Sequence, residues 1–298
     1  MPRLFTKQKA LPVVALLTGA IVWGLIWFPY RVLQEAGISG ETATLITYFF
    51  ALVAGLIVFR SAFREIRQAP LILLLISLSA GWTNLAYVLA VIHGEVVRVL
   101  LLFYLAPLWT IILARTLLKE RIGGFGLPVM LLSFAGAMTM LWHPVSGLPL
   151  PQNDAEWLGL SSGFMFAVAN VLARKAHYLS LQLKALSVWA GVVVLALLGS
   201  VYTGETLPTH LDFNVGLLLL LVALAVFLVN PVVQYGLSNT SANRAIVIFM
   251  FELVVGAVSA YWLTDEAVTL REALGGVMII AASLLSGRLE QGVQEKTV

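Results

Sequence analysis

The chain alternates apolar runs of about twenty residues with short polar joins, and that alternation leaves few folds open to it. An α-helix rises 1.5 Å per residue, so about 20 residues cross the roughly 30 Å hydrocarbon core of a bilayer. The runs fall at 10–33, 41–59, 70–92, 95–115, 123–142, 156–175, 181–202, 213–237, 242–263 and 268–287. Ten spans are therefore predicted, in an all-α polytopic membrane protein. Composition agrees: 60% of residues are hydrophobic and only 11% charged, with a mean hydropathy of +0.95, against about a quarter charged in soluble domains. The first run is too long for a signal-peptide core and lacks a small-residue cleavage site, so it reads as the first span.

Orientation follows from the basic residues. In Leu100–Ile122 an apolar run ends in Arg115, Lys119, Glu120 and Arg121, as a helix does where it meets the cytoplasm. With both termini inside, fifteen of the eighteen Lys and Arg are cytoplasmic, and only Arg31, Arg98 and Arg271 lie outside. The net charge of +3 is thus topogenic rather than a nucleic-acid footprint. Without cysteine the chain forms no disulfide or thiolate metal site.

One spacing organises the whole. A step of 146 residues carries Asn84 to Asn230, Arg98 to Arg244 and Glu120 to Glu266, which indicates an internal repeat, residues 1–146 and 147–298. Five spans per half make the halves insert in opposite senses, the inverted repeat from which many carriers build a central cavity. The loop chemistry follows, since Lys119-Glu120-Arg121 on the inside is matched by Thr264-Asp265-Glu266 outside. At the middle of spans four and nine the match fails: Pro107 is opposite Leu253, and Ala106 opposite Glu252.

Several motifs carry a family resemblance. Trp23-Gly24 followed by Phe28, Pro107 through Lys119-Glu120-Arg121, Gly136, and the second-half echo at Glu266 and Gly275-Gly276 resemble the EamA-type drug/metabolite transporter superfamily. Within it the chain is similar to bacterial aromatic amino-acid exporters of the YddG type, which are ten-helix proteins of this length. The resemblance implies a carrier of the inner membrane.

The interior polar residues are the candidate site. Glu252 lies midway along span nine, where a carboxylate costs at least about 2.5 kcal/mol on insertion scales. It reads either as an ammonium contact or proton carrier, or as a helix–helix hydrogen bond made by a neutral carboxyl. Asn84 and Asn230 either read a ligand or join helices. Pro231 after the second frees a backbone carbonyl, and Pro107, Pro231 and Gly24 are the candidate hinges. Arg98 and Arg244 open spans four and nine, placed to meet a carboxylate at an entrance or to snorkel. His93, at an outer turn, has no metal-ligand neighbours. Trp142, Trp157, Tyr202, Tyr261 and Trp262 fit an interfacial belt. Trp23, Trp27, Trp82, Tyr87, Tyr104, Trp109 and Tyr235 lie deeper, and Trp23, Tyr87, Tyr104 and Trp109 are the candidate aromatic wall, suited to stacking and cation–π contact.

No phosphate-binding loop, zinc-ligand pair or nucleophile–base arrangement is present in the sequence, and Gly123-Gly124-Phe125-Gly126 has no strand before it. The expected function is export of amino acids, aromatic or hydrophobic, by alternating access, without cofactor or metal. The expected partners are the bilayer and a small-molecule solute, with no nucleic acid, and the chain is read as a monomer. Lipophilic-cation efflux with Glu252 as counter-charge is the main alternative. Phosphate-sugar exchange is disfavoured for lack of deep Lys or Arg apart from the entrance arginines, a membrane enzyme by the missing catalytic groups, and a structural subunit by the two-sided polar symmetry.

Overall fold

Side-chain caps and apolar interiors start and sustain the helices. Ser39 accepts the Thr42 amide and Ser180 that of Leu183. Asn153 accepts the Glu156 amide at 3.0 Å while Glu156 reaches back to the Gln152 amide, and Thr269 with Glu272 forms a reciprocal capping box. A computed structural model of the chain describes residues 2–93, 96–120, 126–141, 150–204, 212–263 and 269–285. Among these it is helical throughout, with no strand. Trp142, Gly123 to Phe125, Arg121 and Thr264 to Glu266 lie outside the described residues, as do the side chains of His93 and Arg98.

The helices are α1 (Pro2–Glu35), α2 (Gly40–Val58), α3 (Pro70–His93), α4 (Val96–Phe103), α5 (Ala106–Leu117), α6 (Gly126–Leu141), α7 (Asp154–Lys175), α8 (Leu181–Thr203), α9 (Phe213–Asn239), α10 (Ala242–Phe249), α11 (Phe251–Leu263) and α12 (Leu270–Leu285). A 3₁₀ segment, Arg60–Gln68, joins α2 to α3. Among the described residues, eight segments are long and apolar enough to cross a membrane: 10–35, 40–58, 70–90, 99–117, 154–175, 181–202, 213–239 and 242–263. The described parts of the expected fifth and tenth spans are the helices α6 and α12, of 16 residues each.

Two expected spans are not single helices. Span four breaks at Tyr104-Leu105 and span nine at Met250. At the first, Pro107 lacks an N–H and its ring clashes with the carbonyl one turn back, which disfavours a continuous helix there. The Leu108 amide instead bonds the Leu105 carbonyl at 2.9 Å, a tighter three-residue turn. At Met250 there is no proline, yet the Leu253 amide bonds the Met250 carbonyl at 3.1 Å in the same way. Shifted by 146, Val96–Phe103 becomes Ala242–Phe249, the bounds of α10. The spacing read from three polar residues is therefore also the spacing of the two breaks.

Packing is reciprocal between the halves. α1 lies against α9 and α11, as α7 lies against α3 and α5; α2 meets α8, and α6 meets α12. At the last contact a Cβ on Gly136 would sit 2.8 Å from the Gly275 carbonyl, and one on Gly275 would strike the Gly136 carbonyl in return. Small residues there let the two backbones touch, the usual device of helix association in a membrane. Leu197, Leu198, Leu220, Leu221, Leu224 and Leu228 stay exposed, as a lipid-facing surface requires.

Candidate functional site

The two breaks bring the central residues together. Tyr104 occupies the first break and is 5% exposed. Glu252 stands in the first turn of α11, just beyond the second, and is hydrogen-bonded to Tyr104, with Tyr87 of α3 the other ionisable group beside it. Glu252 is thus at a helix N-terminus rather than in mid-helix, where the dipole favours negative charge by about 0.3–1 kcal/mol. A row of rings backs this group: Tyr87 to Phe103 at 5.3 Å, Phe103 to Tyr104 at 5.2 Å, Phe103 to Phe166 at 5.4 Å and Phe166 to Phe249 at 5.7 Å. Ser133 reaches the Met250 sulfur at 2.8 Å, tying α6 to the second break.

Of the other expected residues, Gly24 is placed against this centre and the rest have surroundings of their own. Trp23 packs between two apolar cores, one holding Trp189 and the other Phe249. Trp109 stands edge-on to Phe164 at 5.4 Å, and its buried indole N–H has no partner. Gly24 is a point of close approach: a Cβ there would lie 2.8 Å from the Glu252 carbonyl, so α1 presses directly on the first turn of α11. Pro231 lies inside the uninterrupted α9. Arg244 is half-buried in the first turn of α10. Arg98 falls in α4 by its backbone.

The two asparagines have different surroundings. Asn84 accepts from the Tyr48 hydroxyl at 3.1 Å and donates to the Ala80 carbonyl at 2.9 Å, joining α2 to α3. Asn230, 4% exposed, has an amide N–H₂ without a partner.

A polar cluster at the far end of α5, α7 and α9 was not singled out by sequence. Leu118 and Glu120 both donate backbone amides to the Ala114 carbonyl, and Lys119 adopts a left-handed φ of 56° that turns the chain. The Glu120 carboxylate then accepts the Ala242 amide at 3.1 Å and the Asn243 amide group at 3.3 Å, and pairs with Arg174 at 3.8 Å. It caps α10, whose own Ser241 supplies no side-chain cap. Arg174 and the wholly buried Lys184 both bond to Ser238, through its carbonyl and hydroxyl. Sequence counted these cations as topogenic, and only the Lys-Glu-Arg run beside a tight join could have signalled the cluster. At the opposite end Trp27 donates to Ser259 at 3.0 Å, again joining the two halves.

The match that decides the family falls in two stretches, residues 10–142 and 154–288, each to the EamA-like transporter family. The chain belongs to this family. It is a polytopic membrane transporter of the drug/metabolite superfamily, and the recurring helix break is the internal mark of its two EamA stretches. A protein of Archaeoglobus fulgidus described as an uncharacterized transporter is 27% identical over 280 residues, covering 92% of this chain and 95% of its own. A crystal structure with 14% sequence identity superposes with a TM-score of 0.76 over 94% of this chain and 98% of that one, a likeness of fold.

Proposed function

We propose that this EamA protein is a secondary carrier that exports amino acids, aromatic or hydrophobic, across a bacterial inner membrane by alternating access. Residues 1–146 and 147–298 are read as two five-helix repeats of opposite sense, ten membrane helices in all, with both termini cytoplasmic and the chain working as a monomer. The observation that carries the reading is the meeting of the two breaks: the Tyr104–Glu252 pair beside Tyr87, in a wall of Phe103, Phe166 and Phe249.

The chemistry suits the solute. Stacking against rings is worth about 0.5–1.5 kcal/mol per pair beyond burial, and one carboxylate among rings favours an ammonium group. Glu252 takes the ammonium or carries the coupled proton, Trp23, Tyr87, Tyr104 and Trp109 give the aromatic surface, and Asn230 offers an amide to the carboxylate. Asn84, already bonded at both ends, supports the wall. Arg98 and Arg244 stand at the entrances, and Gly24, Pro107 and Pro231 are where the helices adjust. The same carboxylate in rings also fits a lipophilic cation, the second reading. A panel of the twenty amino acids and tetraphenylphosphonium, run on one reconstituted preparation, separates them. Transport of aromatic amino acids is expected; movement of the cation with no amino acid overturns the first reading.

A further inference from the structure

α9 carries a polar stripe through apolar surroundings. Asn230, Gln234 and Ser238 recur every fourth residue and so share one face of the helix, each no more than 5% exposed. On α7, Asn170 and Arg174 repeat the spacing. The two helices pack together, with Ala173 among Val229, Val233 and Leu237, and Arg174 reaching the Ser238 carbonyl. At the end of this seam polar groups are paired, Arg174 and Lys184 with Ser238, and Arg174 with Glu120. Deeper in, the Asn170 and Asn230 side-chain N–H₂ groups and the Gln234 side-chain oxygen Oε1 have no partner, although they are buried. Buried polar groups are nearly always hydrogen-bonded, because leaving them bare in apolar surroundings is costly. Three in one seam point to a ligand that pairs with them in passing: amide N–H₂ for a carboxylate, amide oxygen for an ammonium.

We propose that the α7–α9 seam is the inner passage for the polar head of the solute, lined by Asn170, Asn230 and Gln234, and that Glu120 latches its mouth. Glu120 comes from the first half, whereas Ala242, Asn243 and Arg174 belong to the second. Parting the halves at this end therefore requires Glu120 to leave the N-terminus of α10 and Arg174 together, which leaves Arg174 held only by the Ser238 carbonyl and uncovers the mouth of the seam. The passage rests on the amino-acid carrier reading; the latch rests on the contacts alone.

The chain has no cysteine, so single reporters need no altered background. Gln234→Cys reports the seam. Gly256→Cys reports the opposite end, and an added Cβ there meets only the Gly24 carbonyl at 3.9 Å. In oriented proteoliposomes a membrane-impermeant maleimide is applied from the Ser238 end for the first reporter and from the other end for the second. Glu120→Gln is expected to speed labelling at Gln234→Cys about tenfold, the effect of weakening one charge-assisted contact, and to slow it at Gly256→Cys. Asn243→Ala, a milder change, gives the same pair of shifts should Glu120→Gln fail to fold. No change at the seam, or faster labelling at both ends, overturns the latch. With Glu120→Gln present, saturating L-phenylalanine is expected to slow labelling in the seam. Faster labelling that phenylalanine leaves untouched upholds the latch and overturns the amino-acid reading of the passage.

Discussion

Tyr104 and Glu252 are hydrogen-bonded across two interrupted helices, one residue at the break between α4 and α5 and the other opening α11. Neither position is polar in the other half: the 146-residue shift sets Met250 against Tyr104 and Ala106 against Glu252. Two backbones repeat, and the pair between them does not. On the carrier reading proposed above, this unrepeated pair is where solute chemistry is added to a shared scaffold.

Tyr104→Phe keeps the ring and removes the hydroxyl. An ordinary hydrogen bond contributes about 0.5–1.5 kcal/mol, so the KM for phenylalanine is expected to rise about two- to tenfold with the yield of folded protein unchanged. Initial-rate uptake in proteoliposomes checks this.

Glu252→Gln separates coupling from binding. Exchange of solute across the membrane is expected to persist at a reduced rate, while an imposed pH gradient no longer drives accumulation. Gradient-driven accumulation at the parent rate would remove Glu252 from coupling.

Pro107→Ala is expected to leave the first break in place, because the second forms at Met250 with Leu253 at the equivalent position. Stability against thermal unfolding in detergent should change by no more than about 1 kcal/mol, the central size of single-substitution effects, with transport retained. A large stabilisation accompanied by loss of transport would mean that the proline alone holds the helix open.

The asparagines should part company. Asn84→Leu removes the link to Tyr48 and is expected to lower stability by about 1–3 kcal/mol, the cost of leaving a buried partner bare, with KM little altered. Asn230→Leu removes a group with no partner, so stability is held or improved while KM rises. Melting curves and uptake kinetics on the two variants test the contrast.

The repeat was legible because polar residues are rare enough in this chain for Asn84, Arg98 and Glu120 to be matched one by one. Span positions followed from hydropathy, which lipid imposes directly on sequence. The break at Tyr104 had a proline to mark it, but the break at Met250 has none, so hydropathy alone read span nine as continuous and Glu252 as mid-helix. Tyr87, Tyr104 and Glu252 are scattered along the sequence, and their meeting depends on how α3, the first break and α11 fold together. Lys184 shows the opposite limit: its charge reads as a cytoplasmic marker, yet it is wholly buried against Ser238. Charge alone does not reveal a partner more than fifty positions away.

Counterflow tests the carrier account most directly. Proteoliposomes loaded with unlabelled phenylalanine and diluted into trace labelled phenylalanine, with no ion gradient, should accumulate label transiently above the equilibrium level, because a site open to one side at a time exchanges solute for solute. Label that only rises to equilibrium, or enters no faster than into protein-free liposomes, would contradict it.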